Sequence, residues 1–479
     1  MSGKLKLATM AVAFGSVISF NAWGIEFPYM LQDPLLTRPN ILDLGATLPG
    51  DEASLVCATQ NSENQTFKDP LALSTVVDMA LCHNPQVKAA WAAIKVQAGA
   101  LGEARAAYIP TLNATESKLQ NETRYTNGTS PNTSNSGKTK YANLTWRLFD
   151  FGTRSSNVES ANQMLKAALA SHDAALQKVL TTVVGAYFDA MTAQATLKAR
   201  TQAVELATET WQTTQRREAR GVAAVSDTLQ AAAALAKAQL ALSRAQGDAQ
   251  KTRSVLMYAM GLPTHTPLLL PDEHATAQEV RVQDLTQWLN DAQQKHPAIA
   301  AARAQLAASK AKVQAVQAEG LPTLDYTQNH YQNGYPNQGL SSTSSKVNTV
   351  GFTLNVPLFE GFERTYKIRG AQAQSEQSEA QLQDTELQIL MEVVKAHADA
   401  QSSFENLQAS QQLLSATEAF VQSSQKRYDK GASDILELLA AQNALADAQQ
   451  ERVRCLSDWR SARLRLMSSA GILGREGWE

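Results

Sequence analysis

The sequence predicts a mainly α-helical protein with a small membrane-type β component, built from two copies of one unit. Three observations carry that prediction. Landmarks recur in the same order about 210 residues apart. The chain of 479 residues is rich in Ala and Gln and only 6% aromatic, the bias of long helices rather than compact cores. Two short segments, one in each copy, alternate apolar and polar residues as strands do. The landmark pairs are His83-Asn84-Pro85 with Lys295-His296-Pro297, and Tyr108-Ile109-Pro110 with Gly320-Leu321-Pro322. Further on, Leu148-Phe149-Asp150-Phe151-Gly152 answers Leu358-Phe359-Glu360-Gly361-Phe362, and Arg220-Gly221-Val222 answers Lys430-Gly431-Ala432.

The order of elements follows from this frame. Residues 1–24 read as a signal peptide: Lys4 and Lys6 precede an apolar run from Leu7 to Phe20, and Ala22-Trp23-Gly24 offers small residues for cleavage after Gly24. Residues 25–73, with Pro28, Pro34, Pro39, Pro49 and Pro70, predict an irregular strap. The first repeat covers 74–260: a helix over 74–107, a hairpin within 110–149, a long helix over 153–219 and a helix over 225–260. A linker, 261–283, carries Pro263, Pro267 and Pro271. The second repeat covers 284–471: a helix over 284–319, a hairpin within 322–359, a long helix over 363–429 and a helix over 434–470, before a tail at 472–479.

The long helices carry a seam of alternating three- and four-residue steps. In the second copy it falls on Leu390, Val393, His397, Ala400, Phe404, Leu407, Gln411 and Leu414. In the first it falls on Leu180, Val183, Tyr187, Ala190, Gln194, Leu197, Thr201 and Val204. Such spacing predicts coiled-coil contact. Its dilution by Gln, Thr and Ala suits a helical wall wet on both sides better than a solid bundle, which needs a broader apolar face. His397 reads as a packed residue rather than a ligand. At 1.5 Å per residue the long helix spans about 100 Å, close to the two shorter helices of its copy laid end to end.

The strand segments have one apolar and one polar face. Ala142, Leu144, Trp146 and Leu148 alternate with Asn143, Thr145 and Arg147, and Phe352, Leu354, Val356 and Leu358 alternate with Thr353, Asn355 and Pro357. That pattern marks a wall between lipid and water. Polar hairpin loops, Thr126 to Asn132 and Asn333 to Asn337 onward, suit an exterior surface. Four strands cannot close a barrel, and open edges are not tolerated in lipid. Several chains must therefore share one barrel, although geometry alone does not give their number. No stretch beyond the signal is apolar enough for a transmembrane helix.

The duplicated plan of helix, hairpin, long helix and helix, with Pro before each hairpin and Gly at each far turn, resembles the TolC family of outer-membrane efflux and secretion channels. The likeness runs from Ser74 to Gly471 and is most specific in Gly221-Val222-Ala223-Ala224-Val225-Ser226-Asp227-Thr228-Leu229 and in Tyr428-Asp429-Lys430-Gly431-Ala432-Ser433-Asp434-Ile435-Leu436-Glu437. Ala80-Leu81-Cys82-His83-Asn84-Pro85 with Trp91 is similar to the CyaE-like subgroup serving type I protein secretion. The resemblance implies a homotrimer with a shared 12-stranded β-barrel in outer-membrane lipid and a periplasmic α-helical tunnel. It also implies a periplasmic adaptor (membrane fusion) protein and an inner-membrane ABC or RND pump as partners. By motif match the tip turns at Gly221 and Gly431 form the periplasmic gate. Asp227 and Glu437 would aim carboxylates at the pore axis, favouring cations, and Tyr428 would help tie the closed tip. Ser433 stands where the best-known member has an arginine, which removes one closing ionic link.

The residues themselves also admit plainer readings. Asp227 fits a residue capping the helix after the turn, and Glu437 a solvated charge on a helix face. Cys57 and Cys82 fit a disulfide in an oxidising compartment, or equally two unpaired thiols. No nucleophile elbow, phosphate loop or metal-ligand spacing occurs, so no catalytic, cofactor or metal residue is assigned and no enzyme activity is expected. With 43 basic and 45 acidic residues and no polybasic run, no nucleic-acid partner is indicated. The cargo stays open between a secreted protein, which the subgroup favours, and drugs or metals. A reading of another class, a soluble coiled-coil periplasmic scaffold or adaptor, conflicts with the apolar strand faces.

Overall fold

The computed structural model describes residues 70–124, 126, 132–263, 268–271, 284–333 and 345–473. The expected signal peptide, most of the strap, Cys57, much of both hairpin loops, most of the linker and residues 474–479 lie outside the described residues. Two compact units are distinguished: one holds Val96–Asn162 and Ala308–Ser375, and the other holds Gln163–Ala307 and Glu376–Glu479 with the segment ending at Lys95. In chain order the elements are α1 (Leu73–His83), α2 (Pro85–Ala106), β1 (Thr111–Thr123), β2 (Thr133–Phe149), α3 (Thr153–Ala219) and α4 (Val225–Ala259). The second copy repeats them as α5 (Leu285–Lys295), α6 (Pro297–Ala318), β3 (Thr323–Gln332), β4 (Lys346–Asn355), α7 (Glu363–Asp429) and α8 (Ile435–Ser469). No described helix is long and apolar enough to cross a membrane.

The single helices expected over 74–107 and 284–319 are each broken in two. Pro85 and Pro297 occupy the first position of a new helix, where a missing N–H costs nothing. The preceding side chains cap that helix: Asn84 Oδ1 accepts from the Gln86 amide at 2.8 Å, and His296 Nδ1 accepts from the Ala298 amide at 3.2 Å. Asn84 also donates from Nδ2 to the Ala259 carbonyl at 3.0 Å. Each break rests on a glycine ending the last helix of its copy. Gly261 (φ 75°) and Gly471 (φ 74°) adopt the left-handed conformation. The amides that follow close Schellman bonds, Leu262 to Met257 at 3.0 Å and Ile472 to Met467 at 3.1 Å. A Cβ at Gly261 would lie 2.8 Å from the His83 carbonyl oxygen, and one at Gly471 would lie 2.6 Å from His296 Cα. Both glycines are thus required twice, by φ and by close approach.

The cores of the second unit follow the duplication. One gathers Val77, Leu81, Leu180, Val183, Leu256 and Met260 from α1, α3 and the end of α4, and the other gathers Trp288, Val393, Ala400, Trp459 and Leu466. The seam of α7 runs through Ile389, Val393, Ala396, Ala400, Leu407, Ser410, Thr417, Ser424 and Tyr428. The expected seam shares Val393, Ala400 and Leu407 with it. The alternate positions sit one residue earlier, so Leu390, His397 and Phe404 are only half-buried and Gln411 is exposed. The seam of α3 likewise continues through Ala207, Thr210 and Thr214 rather than through Thr201. Small residues occupy these positions, and their hydroxyls return to their own helix: Thr214 to the Thr210 carbonyl at 2.9 Å, Ser410 to Leu407 at 2.8 Å and Thr417 to Leu413 at 2.9 Å.

In the first unit the four strands form one antiparallel sheet in the order β1-β2-β3-β4, so the two hairpins pair across the duplication. The registers place Leu112, Leu144, Gln328 and Val350 in one row, and Trp146, Tyr326 and Phe352 in the next. A register shift between Arg147 and Phe149 then sets Phe149, not Leu148, opposite Leu324 and Leu354. Leu148 is the extra residue of a bulge and loses the strand-face place expected for it. Val356 and Leu358 lie beyond the end of β4, where Pro357 has no N–H for a ladder; both remain exposed.

The strand-to-helix junction is held by Asp150 and Arg154. The Asp150 carboxylate accepts from the Arg154 amide at 3.0 Å and pairs with Arg154 Nε at 2.9 Å, with both side chains nearly buried. Arg154 also donates to the carbonyls of Arg147 at 2.7 Å and Leu148 at 3.2 Å, at the bulge, and its guanidinium lies 4.6 Å from the centre of the Tyr108 ring. In the second copy Glu360 pairs with Arg364 at 3.0 Å, and Gly320 stands where Tyr108 does, because any Cβ there would meet the Arg364 side chain.

Two outcomes follow from the paired joints. Gly261→Ala should destabilise by about 3 kcal/mol, combining left-handed strain with a backbone clash. Gly221→Ala, at φ 69° with no atom within 4 Å of the added carbon, should lose only about 1 kcal/mol. Thermal unfolding of the two purified variants measures the difference. Burial holds the His296 imidazole below its ordinary value of 6.5. The unfolded chain therefore takes up a proton that the folded site refuses, and this contribution, complete above that value, is lost as the pH falls through and below it. His296→Asn, copying Asn84, should flatten the acid limb of the stability–pH curve measured by denaturant unfolding.

Candidate functional site

The two glycine turns between the long helices and their successors share one construction. Gly221 (φ 69°) and Gly431 (φ 72°) end α3 and α7. The Val222 amide bonds the Arg217 carbonyl at 3.0 Å, and the Ala432 amide bonds the Arg427 carbonyl at 2.8 Å. Only glycine takes that backbone without strain, which is why the turn was legible as Arg-Gly-Val and Lys-Gly-Ala.

The following helices start differently. Asp434 caps α8 through its carboxylate, which accepts from the Glu437 amide at 2.9 Å. Ala224 precedes α4 and offers no such cap; Asp227 sits inside the first turn, where the positive end of the helix dipole favours a carboxylate. Its carboxylate accepts from the neighbouring Ser226 hydroxyl at 3.4 Å and is half-exposed.

The Glu437 carboxylate has partners within its own turn. Arg427 Nη1 lies 2.7 Å from one of its oxygens, and the Ser433 hydroxyl donates to the other. Ser433 is thus part of this pair. An ion pair ten positions apart across a turn carries no periodic signal, and sequence reasoning passed over Arg427 entirely.

Tyr428 is 6% exposed and packs with Ile435, Leu438 and Leu439. Arg217, from the other turn, lies over its ring at 4.6 Å and donates from Nη1 to its carbonyl at 3.3 Å. This cation–π contact joins the two copies within one chain. Burial, first of all, pushes the Tyr428 hydroxyl above its ordinary value; the Arg217 charge opposes the rise and the nearby Asp227 charge adds to it. The structure therefore brings Tyr428, Arg217 and Asp227 into one electrostatic group, and Glu437, Arg427 and Ser433 into another.

A second functional surface is the sheet. Its apolar face leaves Leu112, Trp146, Phe149, Val350, Phe352 and Leu354 between 42% and 70% exposed. Its other face is a polar network: Tyr141 and Asn143 donate to Asn329 Oδ1 at 3.1 and 2.5 Å, Thr145 donates to Asn143 at 3.0 Å, and Arg147 pairs with Asp325 at 2.9 Å. Beyond the ends of the sheet, exposed aromatic rings meet in pairs, Phe149 with Phe151 and Phe359 with Phe362. An exposed apolar face backed by a polar face is what a wall between lipid and a wet lumen requires.

Comparison with known proteins decides the family. The family described as outer membrane efflux protein matches twice, over residues 76–262 and 288–472, which are the two copies. The chain belongs to the outer membrane efflux protein family. A similar curated protein is Protein CyaE of Bordetella pertussis, 35% identical over 409 residues, 85% of each chain. Another is the alkaline protease secretion protein AprF of Pseudomonas aeruginosa, 27% identical over 62% of each chain. Among solved structures, the outer membrane protein VceC of Vibrio cholerae aligns at a TM-score of 0.72 and 22% identity, over 83% of this chain and 96% of that one. This member of the family is an outer-membrane exit duct, with strands for the outer membrane and a helical periplasmic extension.

Cys82 is disulfide-bonded, whereas Cys455 is free and buried. Cys57, the partner expected for Cys82, lies outside the described residues. Among the described residues no cluster of His, Cys, Asp or Glu is arranged to hold a metal ion.

Proposed function

We propose that three copies of this chain share one barrel of twelve strands and form a passive conduit. A periplasmic adaptor and an inner-membrane pump, ABC or RND, would open it, and its favoured cargo is a secreted polypeptide. One observation carries the reading: the chain's own sheet has an apolar exposed face, a polar bonded face and unpaired edges at β1 and β4. Such edges must be paired by neighbouring copies in hydrocarbon. The preference for a polypeptide rests on similarity to CyaE and to AprF, whose name states protease secretion. Similarity to the toluene efflux protein TtgC of Pseudomonas putida, at 24% identity, supports the second reading, a duct for small toxic compounds.

The gate of this conduit is assigned to the turns at Gly221 and Gly431, with Tyr428, Asp227 and Glu437 as its working residues. The Cys57–Cys82 disulfide would tether the strap to α1. Opening would part the two turns and so break the Arg217–Tyr428 contact, which is worth about 1 kcal/mol. In planar bilayers the double variant Asp227→Asn, Glu437→Gln should lower the cation-to-anion permeability ratio. Arg427→Gln, which releases the Glu437 charge, should raise it. Unchanged ratios in both would remove the gate assignment. For the cargo, a strain lacking the gene should lose at least one polypeptide from its culture medium while keeping its drug sensitivity; the opposite pattern selects small-molecule efflux.

A further inference from the structure

The outward face of the sheet changes character with height in a way that the proposed conduit does not use. The rows containing Leu354 and Phe352 are apolar or aromatic, the Val350 row sets Leu112 and Leu144 beside one polar residue, Gln328, and the next holds Ala114, Ala142, His330 and Asn348. Above them, Glu116, Lys140, Gln332 and Lys346 share one row, and Lys118 pairs with Lys138 in the next. Strand residues on one face recur every second position. All four lysines of the described strands therefore lie on the face that carries Phe352 and Leu354, and none lies on the polar face. There the charged pair Arg147–Asp325 is internally neutral.

Lys138 is committed to Glu116 at 3.3 Å. Lys118, Lys140 and Lys346 are exposed, and no described carboxylate lies within ion-pair distance of them. The height fits a headgroup zone. Lys346 is about 27 Å along β4 from Leu354, or about 21 Å of vertical rise at a 40° strand tilt, close to the apolar band of an outer-membrane barrel. Lysines placed for solubility would line the wet face or both faces. These line only the face that meets lipid, at the level where the hydrocarbon ends.

We propose that Lys118, Lys140 and Lys346 form a belt that binds the phosphate groups of anionic lipid headgroups in the outer leaflet. The proposal rests on the membrane placement of the sheet. It adds a lipid-recognition site distinct from the gate. Repeated in each copy, the belt would ring the barrel with cations and fix its depth and lipid surroundings.

The test uses the full chain reconstituted in phosphatidylcholine vesicles containing either lipid A or its dephosphorylated form. Flotation reads insertion, and native mass spectrometry of the extracted protein reads retained lipid. Wild-type protein should retain lipid A above its share of the vesicle and show no such enrichment for the dephosphorylated lipid. The variant Lys118→Gln, Lys140→Gln, Lys346→Gln should still float and lose retention by about fivefold for each lysine removed. Substitution of the same three by Arg should restore it. A glutamine variant that floats and retains lipid A as the wild type does, or equal retention of the dephosphorylated lipid, overturns the belt. Failure of the wild-type protein to float would instead overturn the membrane placement of the sheet.

Discussion

A strand edge in hydrocarbon has nowhere to send its N–H and C=O groups except to another strand, and this chain presents two such edges, on β1 and β4. Much of the first unit can be understood as preparation for that constraint. The hairpins pair with each other across the duplication, so one chain leaves two edges where separate hairpins would leave four. At the bulge Arg154 donates to the carbonyls of Arg147 and Leu148, anchored by Asp150 and stacked on Tyr108. On the opposite face Tyr141, Asn143, Thr145 and Asn329 bond one another and Arg147 pairs with Asp325.

Duplication supplies the helical unit with the same solution at four places. Gly221, Gly261, Gly431 and Gly471 each end a helix in the left-handed conformation, followed by a bond back across the last turn. Their surroundings separate them by role. Gly261 and Gly471 press on the backbone of the opposing proline breaks, so they act as fixed joints; Gly221 and Gly431 have open space around them and limit the chain only through φ. Rigid joints and roomy turns made from one residue type suit a structure that must hold at one level and yield at another.

The seams carry the same division. Near α1 and α5 they are packed with Leu, Val, Met and Trp; towards the turns they thin to Thr210, Thr214, Ser410, Thr417 and Ser424. Such small hydroxyl residues, of which Thr210, Thr214, Ser410 and Thr417 bond back to their own helix, bury little apolar area and contribute correspondingly little to pairing. At the turns a small apolar cluster of Tyr428, Ile435, Leu438 and Leu439 is joined by Arg217 on Tyr428 and by Arg427 with Ser433 on Glu437.

Local rules read from the sequence determined the duplication, the long helices over 153–219 and 363–429, and the glycine turns, because periodicity and the φ demand of glycine act within a few residues. They did not give the breaks at Pro85 and Pro297: the pattern predicts one helix over 74–107 and one over 284–319, although proline favours the first position of a helix. Tertiary structure alone decided the rest. The bulge that displaces Leu148 depends on how β2 meets β3, and the seam positions of α7 depend on which neighbouring helix each face meets. The pairing of Glu437 depends on a turn that folds Arg427 back beside it. In each case the deciding partner is distant in sequence or lies across a turn, so no local pattern records the contact.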